Sequence, residues 1–108
     1  MKETSKAEEM VLLAILRLGD RAYGVSIRRQ IRKDTGKDYT YGTLYGLLRQ
    51  MDRKGFIRKI KGEPIPRQGG RSKSYFKLTP GGIRALKEAV ELHRRIWKDF
   101  SEFSFERS

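Results

Sequence analysis

Arg49, Gln50 and Arg53 lie within one short stretch of the chain, and Arg67, Arg71 and Lys73 follow soon after. None of these groups is a nucleophile or a proton carrier at neutral pH. Arginine offers a planar fork of donors that fits a guanine edge or a phosphate, and a glutamine amide matches an adenine edge. The chemistry on offer is hydrogen bonding and charge neutralisation. Bond-making chemistry lacks its parts. The chain has no cysteine and a single histidine, His93, and Glu63 is the one carboxylate between Arg53 and Lys73. Disulfides, thiolate metal sites and a histidine cluster are excluded, and no paired acid is left for general acid–base work. No catalytic residue, metal or cofactor is expected.

The charge is unevenly placed. The formal net charge is +12, and residues 53–73 carry eight basic groups (Arg53, Lys54, Arg58, Lys59, Lys61, Arg67, Arg71, Lys73) against Glu63 alone. Residues 2–20 and 80–108 are near balance. Charge that served only solubility would have no reason to concentrate in this way. A localised positive field attracts polyanions and releases their counterions on binding. Nucleic acid is the leading partner, with an acidic protein or an anionic membrane surface as alternatives. No apolar run reaches the roughly 20 residues of a membrane span, and no signal-like segment follows Met1, so the chain reads as soluble and cytoplasmic. It also lacks asparagine and is 35% charged, a composition reported for heat-adapted proteins.

These residues need elements to hold them. Ser5-Lys6-Ala7-Glu8 has the capping-box form, and the apolar run from Met10 to Leu16 follows it, with Gly19 placed to stop the helix. This first helix is apolar nearly all round, which predicts cover on two sides, by its own domain and by a partner subunit. A second helix runs from about Gly24, with Val25, Ile27 and Ile31 apolar, and Thr35-Gly36 ends it. Thr40 caps a third helix over Tyr41–Lys54, about 21 Å long at 1.5 Å per residue. Its buried face is Leu44, Leu47, Leu48 and Met51, spaced i, i+3, i+4, i+7. Two β-rich segments, Phe56–Lys61 and Ser72–Leu78, flank a long Pro- and Gly-containing loop. Thr79-Pro80 then opens a fourth helix expected to reach about Phe100, with an irregular tail to Ser108.

Helix, helix, helix, strand, loop, strand, helix is mainly α with a small β-wing. It reads as a winged helix-turn-helix over residues 1–79, followed at 80–108 by a C-terminal dimerisation helix. On the third helix, 100° steps set Gly42, Gly46, Arg49 and Arg53 opposite the leucines, with Thr43, Tyr45 and Gln50 on the flanks. Arg49 and Gln50 have the donor geometry for base edges, and Thr43 and Tyr45 suit phosphate or thymine-methyl contact. Glycine inside a helix costs roughly 0.5–1 kcal/mol relative to alanine, so two on one exposed face point to something large that comes close. Taken singly, arginines on the wet face of a helix are more often simply solvated. The coincidence with the basic loop next in sequence favours contact. Arg67 can follow phosphates, enter a minor groove or simply supply long-range attraction. Arg71 and Lys73 border the strand and are the better-ordered phosphate contacts.

On the fourth helix, Ile83, Leu86, Val90, His93, Trp97 and Phe100 form a heptad seam, with Ala85, Ala89, Leu92 and Ile96 beside it. Two stripes exceed what a small domain covers by itself. Leu12, Ile15, Leu86, Val90, His93, Trp97 and Phe100 are therefore expected at a homodimer interface.

Several short motifs in order carry a resemblance. They are Tyr23-Gly24, Gly42-Thr43-Leu44-Tyr45, Lys54-Gly55-Phe56-Ile57, Gly69-Gly70-Arg71 and Tyr75-Phe76-Lys77-Leu78-Thr79-Pro80-Gly81-Gly82. Together, from about Val11 to Leu92, they resemble the PadR family of transcriptional regulators, in its shorter form with a single C-terminal helix. The resemblance implies a winged helix-turn-helix and a two-fold dimer joined through the C-terminal and first helices. It also implies repression at promoter double-stranded DNA and, in many members, response to a small aromatic or lipophilic ligand. Phe76 stands where a second Tyr is common, a change that packing tolerates. In that light Trp97 and His93 gain a second reading as an effector slot across the two-fold axis. The plainer reading is interface core for Trp97 and a satisfied interface polar group for His93.

Three functions compete. A sequence-specific DNA-binding regulator fits the concentrated charge. A non-specific basic protein coating RNA or chromatin would spread its charge over all faces. A protein-interaction winged helix would carry apolar residues where Gly42, Gly46, Arg49 and Arg53 stand.

Overall fold

The computed structural model describes residues 4–64, 72–101 and 105–106. The first helix, α1 (Lys6–Leu18), begins with a full capping box. The Glu8 N–H donates to Ser5 Oγ at 3.1 Å, and the Ser5 N–H donates to Glu8 Oε1 at 2.8 Å. It ends at Gly19, whose φ of 58° is open to glycine at little cost. A short 3₁₀ turn over Gly19–Arg21 leads to α2 (Gly24–Thr35), closed by Gly36 in the left-handed region. Thr40 caps α3 (Tyr41–Arg53) by accepting from the Thr43 N–H. Strands β1 (Ile57–Pro64) and β2 (Ser72–Leu78) pair antiparallel from Ile57 opposite Leu78 to Pro64 opposite Ser72, with a register shift between Lys61 and Pro64. The first strand therefore runs past the Lys61 end read from sequence. Thr79 caps α4 (Pro80–Ile96).

One core holds these elements together. Val11, Leu12 and Ile15 of α1 meet Ile27 and Ile31 of α2, Leu44, Leu48 and Met51 of α3, Phe56, Ile57 and Phe76 of the hairpin, and Ala85 and Leu86 of α4. Because α1 is the element on which α2, α3, β2 and α4 all pack, most of its apolar surface is covered within the protomer. Leu12 and Ile15, read from sequence as interface residues, are 0% and 2% exposed and belong to the protomer's own core. Leu86 is likewise buried. Leu16 is the large apolar residue that α1 leaves outside. On α3, Leu47 is only half-buried, and Val25 of α2 points to solvent because the core is closed by Ile27 and Ile31.

The hairpin is tied to the helices at two places. The Phe76 N–H donates to the Ala22 carbonyl, and Tyr23 forms a bridge with Tyr75, so the segment before α2 extends the edge of β2. At the other end α4 crosses the start of β1 so closely that a β-carbon at Gly82 would overlap the Phe56 carbonyl.

Helix α4 stops earlier than its heptad pattern implied. Trp97 caps it, and Asp99 adopts a φ of 62°, so Phe100 lies beyond the helix. The chain bends there, and Phe105 packs back at 4.9 Å from Phe100 and 6.1 Å from Trp97. Two grooves run between α1 and α4. One, about 480 Å³, has Ala85, Ala89, Leu92 and Ile96 along it, with Thr4, Lys6 and Glu9 at its α1 edge. The other, about 500 Å³, is lined by Leu13, Leu16, Leu78, Ile83, Leu86 and Val90.

Candidate nucleic-acid interface

Helix α3 is gripped from behind and open in front. Leu44, Leu48 and Met51 are 0%, 2% and 0% exposed, which fixes its rotation about its own axis. That rotation turns Gly42, Thr43, Tyr45, Arg49, Gln50 and Arg53 to solvent together, with Gly46 among them and half-buried. A β-carbon at Gly42 would approach nothing nearer than Thr40 Oγ1 at 4.0 Å, and at Gly46 nothing nearer than the Arg49 guanidinium at 4.0 Å. No contact among the described residues requires glycine at either place.

Tyr45 has a role in the fold as well as at the surface. Its phenol lies against Gly24, at the start of α2, while the residue remains 40% exposed. Thr43 is partly engaged too, since its hydroxyl accepts from Thr40 Oγ1 at 3.0 Å.

The α2–α3 turn is pinned by Arg28. Its guanidinium donates to both Asp38 carboxylate oxygens, at 2.9 and 3.3 Å, and lies 4.6 Å from the centre of the Tyr41 ring. The hydrogen bond from Arg28 holds the Asp38 carboxyl below its ordinary value.

At the root of the wing, Lys73 holds its ammonium 4.2 Å from the Tyr23 ring centre, and Tyr23 meets Tyr75 edge-on at 5.8 Å. Lys73 is thus an ordered cation. Arg67 and Arg71 lie outside the described residues. Sequence reasoning did not assign the bracket of Tyr23, Tyr75 and Lys73. The tyrosines were visible only as motif letters, and a cation–π contact between residues 50 apart in sequence leaves no local pattern.

A second unforeseen feature is the Glu8 carboxylate, buried at 1% exposure and hydrogen-bonded by Lys54 Nζ at 2.8 and 3.0 Å. Burial pushes this carboxyl up, but the bonds from Lys54 and Ser5 outweigh it and hold it below its ordinary value.

Of the remaining site expectations, Val90, His93, Trp97 and Phe100 are exposed. The His93 and Trp97 rings stand 6.1 Å apart, and Trp97 meets Phe100 at 5.1 Å. Among the described residues no set of three His, Asp or Glu side chains is grouped to hold a metal ion, and no helix is long and apolar enough to cross a membrane.

Comparison with known proteins places this geometry. Residues 12–88 match the Transcriptional regulator PadR-like family. No curated protein matches the chain. Among solved structures, a transcriptional regulator from Clostridium thermocellum is 26% identical and superposes with a TM-score of 0.66 over 88% of this chain and 92% of that one. A PadR family transcription regulator from Clostridium difficile is also 26% identical, with a TM-score of 0.70 over 89% of this chain and 96% of that one. A winged-helix DNA-binding protein from STIV shares the fold at 22% identity, with a TM-score of 0.69 over 93% of this chain and all of that one. With the family matched across most of its length, the chain belongs to the PadR-like family of transcriptional regulators.

Proposed function

We propose that this regulator binds double-stranded DNA sequence-specifically as a homodimer, inserting α3 of each copy into the major groove, and represses by occupying its operator. The observation that carries this reading is the exposed face of α3. It is bare at Gly42 and Gly46, where no contact among the described residues demands glycine, and it is flanked by Arg49, Gln50 and Arg53. A face of that kind admits the bulk of a duplex and meets it with donors suited to base edges. Thr43 and the exposed edge of Tyr45 serve the backbone, as do Lys73 and, from the loop, Arg67 and Arg71.

A second copy has a place on α4. Ile83, Val90, Leu92, Ile96, Trp97 and Phe100 are 40–64% exposed, more apolar surface than one protomer covers. A two-fold dimer presents two α3 helices to successive major grooves, roughly 10 bp apart or a multiple of that, on a palindrome. Repression follows from occupancy, because DNA covered in this way excludes another protein.

Selection from a random DNA pool at moderate salt, with sedimentation of the protein alone, tests the proposal. An enriched palindrome and a dimer are expected. A monomer that enriches no sequence would leave a non-specific nucleic-acid coat as the better description.

A further inference from the structure

We propose that Glu8 and Lys54 are positioning residues for DNA recognition: their partly buried contact, made to a buried carboxylate, sets the tilt of α3 against α1, and with it the half-site spacing the dimer accepts. The inference rests on the DNA-reading dimer proposed above.

The two ends of α3 are held in different ways. The N-terminal end is fastened by Arg28, Asp38 and Tyr41, all within the helix-turn-helix, through side chains that are partly or well exposed. Water competes for such contacts, and they yield easily. The C-terminal end is fastened to α1. Lys54, the residue that caps α3, donates to both oxygens of a carboxylate whose side chain is 2% exposed. A buried carboxylate that loses its cation stays in the protein uncompensated, so this joint resists displacement far more than the exposed one.

The same carboxylate also fixes the start of α1. Glu8 Oε1 accepts from the Ser5 N–H at 2.8 Å and from Lys54 Nζ at 3.0 Å, so one oxygen atom joins the first turn of α1 to the last turn of α3. On the other side of that turn, Thr4, Lys6 and Glu9 edge the groove against α4. Whatever covers that groove lies within one helical turn of the atom that holds the recognition helix.

Geometry makes small motions matter. The 13 residues of α3 span about 20 Å. A shift of about 1 Å at the Lys54 end swings the helix by roughly 3° and carries Arg53 by about 0.9 Å and Arg49 by about 0.6 Å. That exceeds the window of about 0.5 Å within which a donor keeps a good hydrogen bond.

The test uses the full chain and the operator selected for it. Replacing Glu8→Leu and Lys54→Met together removes one charge of each sign, so the net charge and its long-range pull on DNA stay the same. Apolar replacement of a buried ion pair commonly preserves the fold. The wild type is expected to prefer its operator over a version with one base pair added between half-sites by at least about tenfold. The double variant, folded and dimeric by sedimentation and circular dichroism, is expected to lose most of that preference while binding mixed-sequence DNA as before. Lys54→Arg, which keeps the charge contact, should retain it. An unchanged spacing preference in the folded double variant overturns the proposal. If the double variant does not fold, Glu8→Gln, which keeps the shape and the Ser5 contact, decides on the same readout. A wild type that selects no operator removes the underlying reading and this inference with it, which is a different result from a selected operator whose spacing preference survives mutation.

Discussion

The phenolic oxygen of Tyr45 occupies the space where any residue other than glycine at position 24 would place its β-carbon. Two motifs that stand apart in sequence, Tyr23-Gly24 and Gly42-Thr43-Leu44-Tyr45, are therefore one contact between the start of α2 and the front of α3. The obstacle is the far end of a flexible side chain, so Gly24→Ala should cost only about 1 kcal/mol or less in stability. It should nevertheless weaken DNA binding, because the displaced phenol swings toward the face proposed to meet the duplex. Combined with Tyr45→Ala the clash is gone, and a cycle of thermal melts should give a coupling of about 0.5 kcal/mol or more. Strict additivity would show that the two residues do not constrain each other.

At Gly46 no contact among the described residues requires glycine. Gly46→Ala should therefore stabilise α3 by about 0.5–1 kcal/mol, the usual helical difference. Affinity for the selected operator should fall in the same protein. A higher melting temperature with undiminished affinity would mean that no partner approaches this face closely.

Arg49 and Lys73 should fail in different ways. Arg49→Ala is expected to cost about 1–3 kcal/mol on the operator and to relax base preference, as the loss of a base-edge contact does. Lys73, held over the Tyr23 ring, is the contact proposed for the backbone. Lys73→Ala should weaken all sequences alike and lower the slope of log affinity against log salt by about one. Equal losses on every DNA for both variants would remove Arg49 from the base readers.

Acid should act through Glu8. Its carboxyl is held below its ordinary value of 4.5 in the folded protein, despite burial, by the bonds from Lys54 and Ser5. A folded value below the unfolded one means that the ionised group stabilises the fold above about pH 4.5, and that this contribution is lost as pH falls through the folded value. Urea midpoints measured from pH 7 downward should therefore drop more steeply below pH 4.5 for the wild type than for Glu8→Gln. Parallel curves would count against an ionised, paired Glu8.

What could be read from sequence was local. The capping box of Ser5 and Glu8, the stops at Gly19 and Gly36, the Thr40 and Thr79 caps and the leucine face of α3 all depend on residues within one or two helical turns, so spacing alone reveals them. The basic, bare front of α3 was legible for the same reason, since a buried stripe dictates what lies opposite. The choice among covering elements was not legible. Leu12 and Ile15 show an apolar stripe that reads the same whether α2, α3, β2 or a second chain lies on it, and only packing assigned it to the protomer's own core. Lys54 in sequence is one cation of a basic run, and Glu8 half of a cap. Their meeting across 46 residues depends on where α1 crosses the end of α3. Helix periodicity is a property of neighbouring residues, whereas the identity of what covers a face is a property of the whole chain's closure around one core.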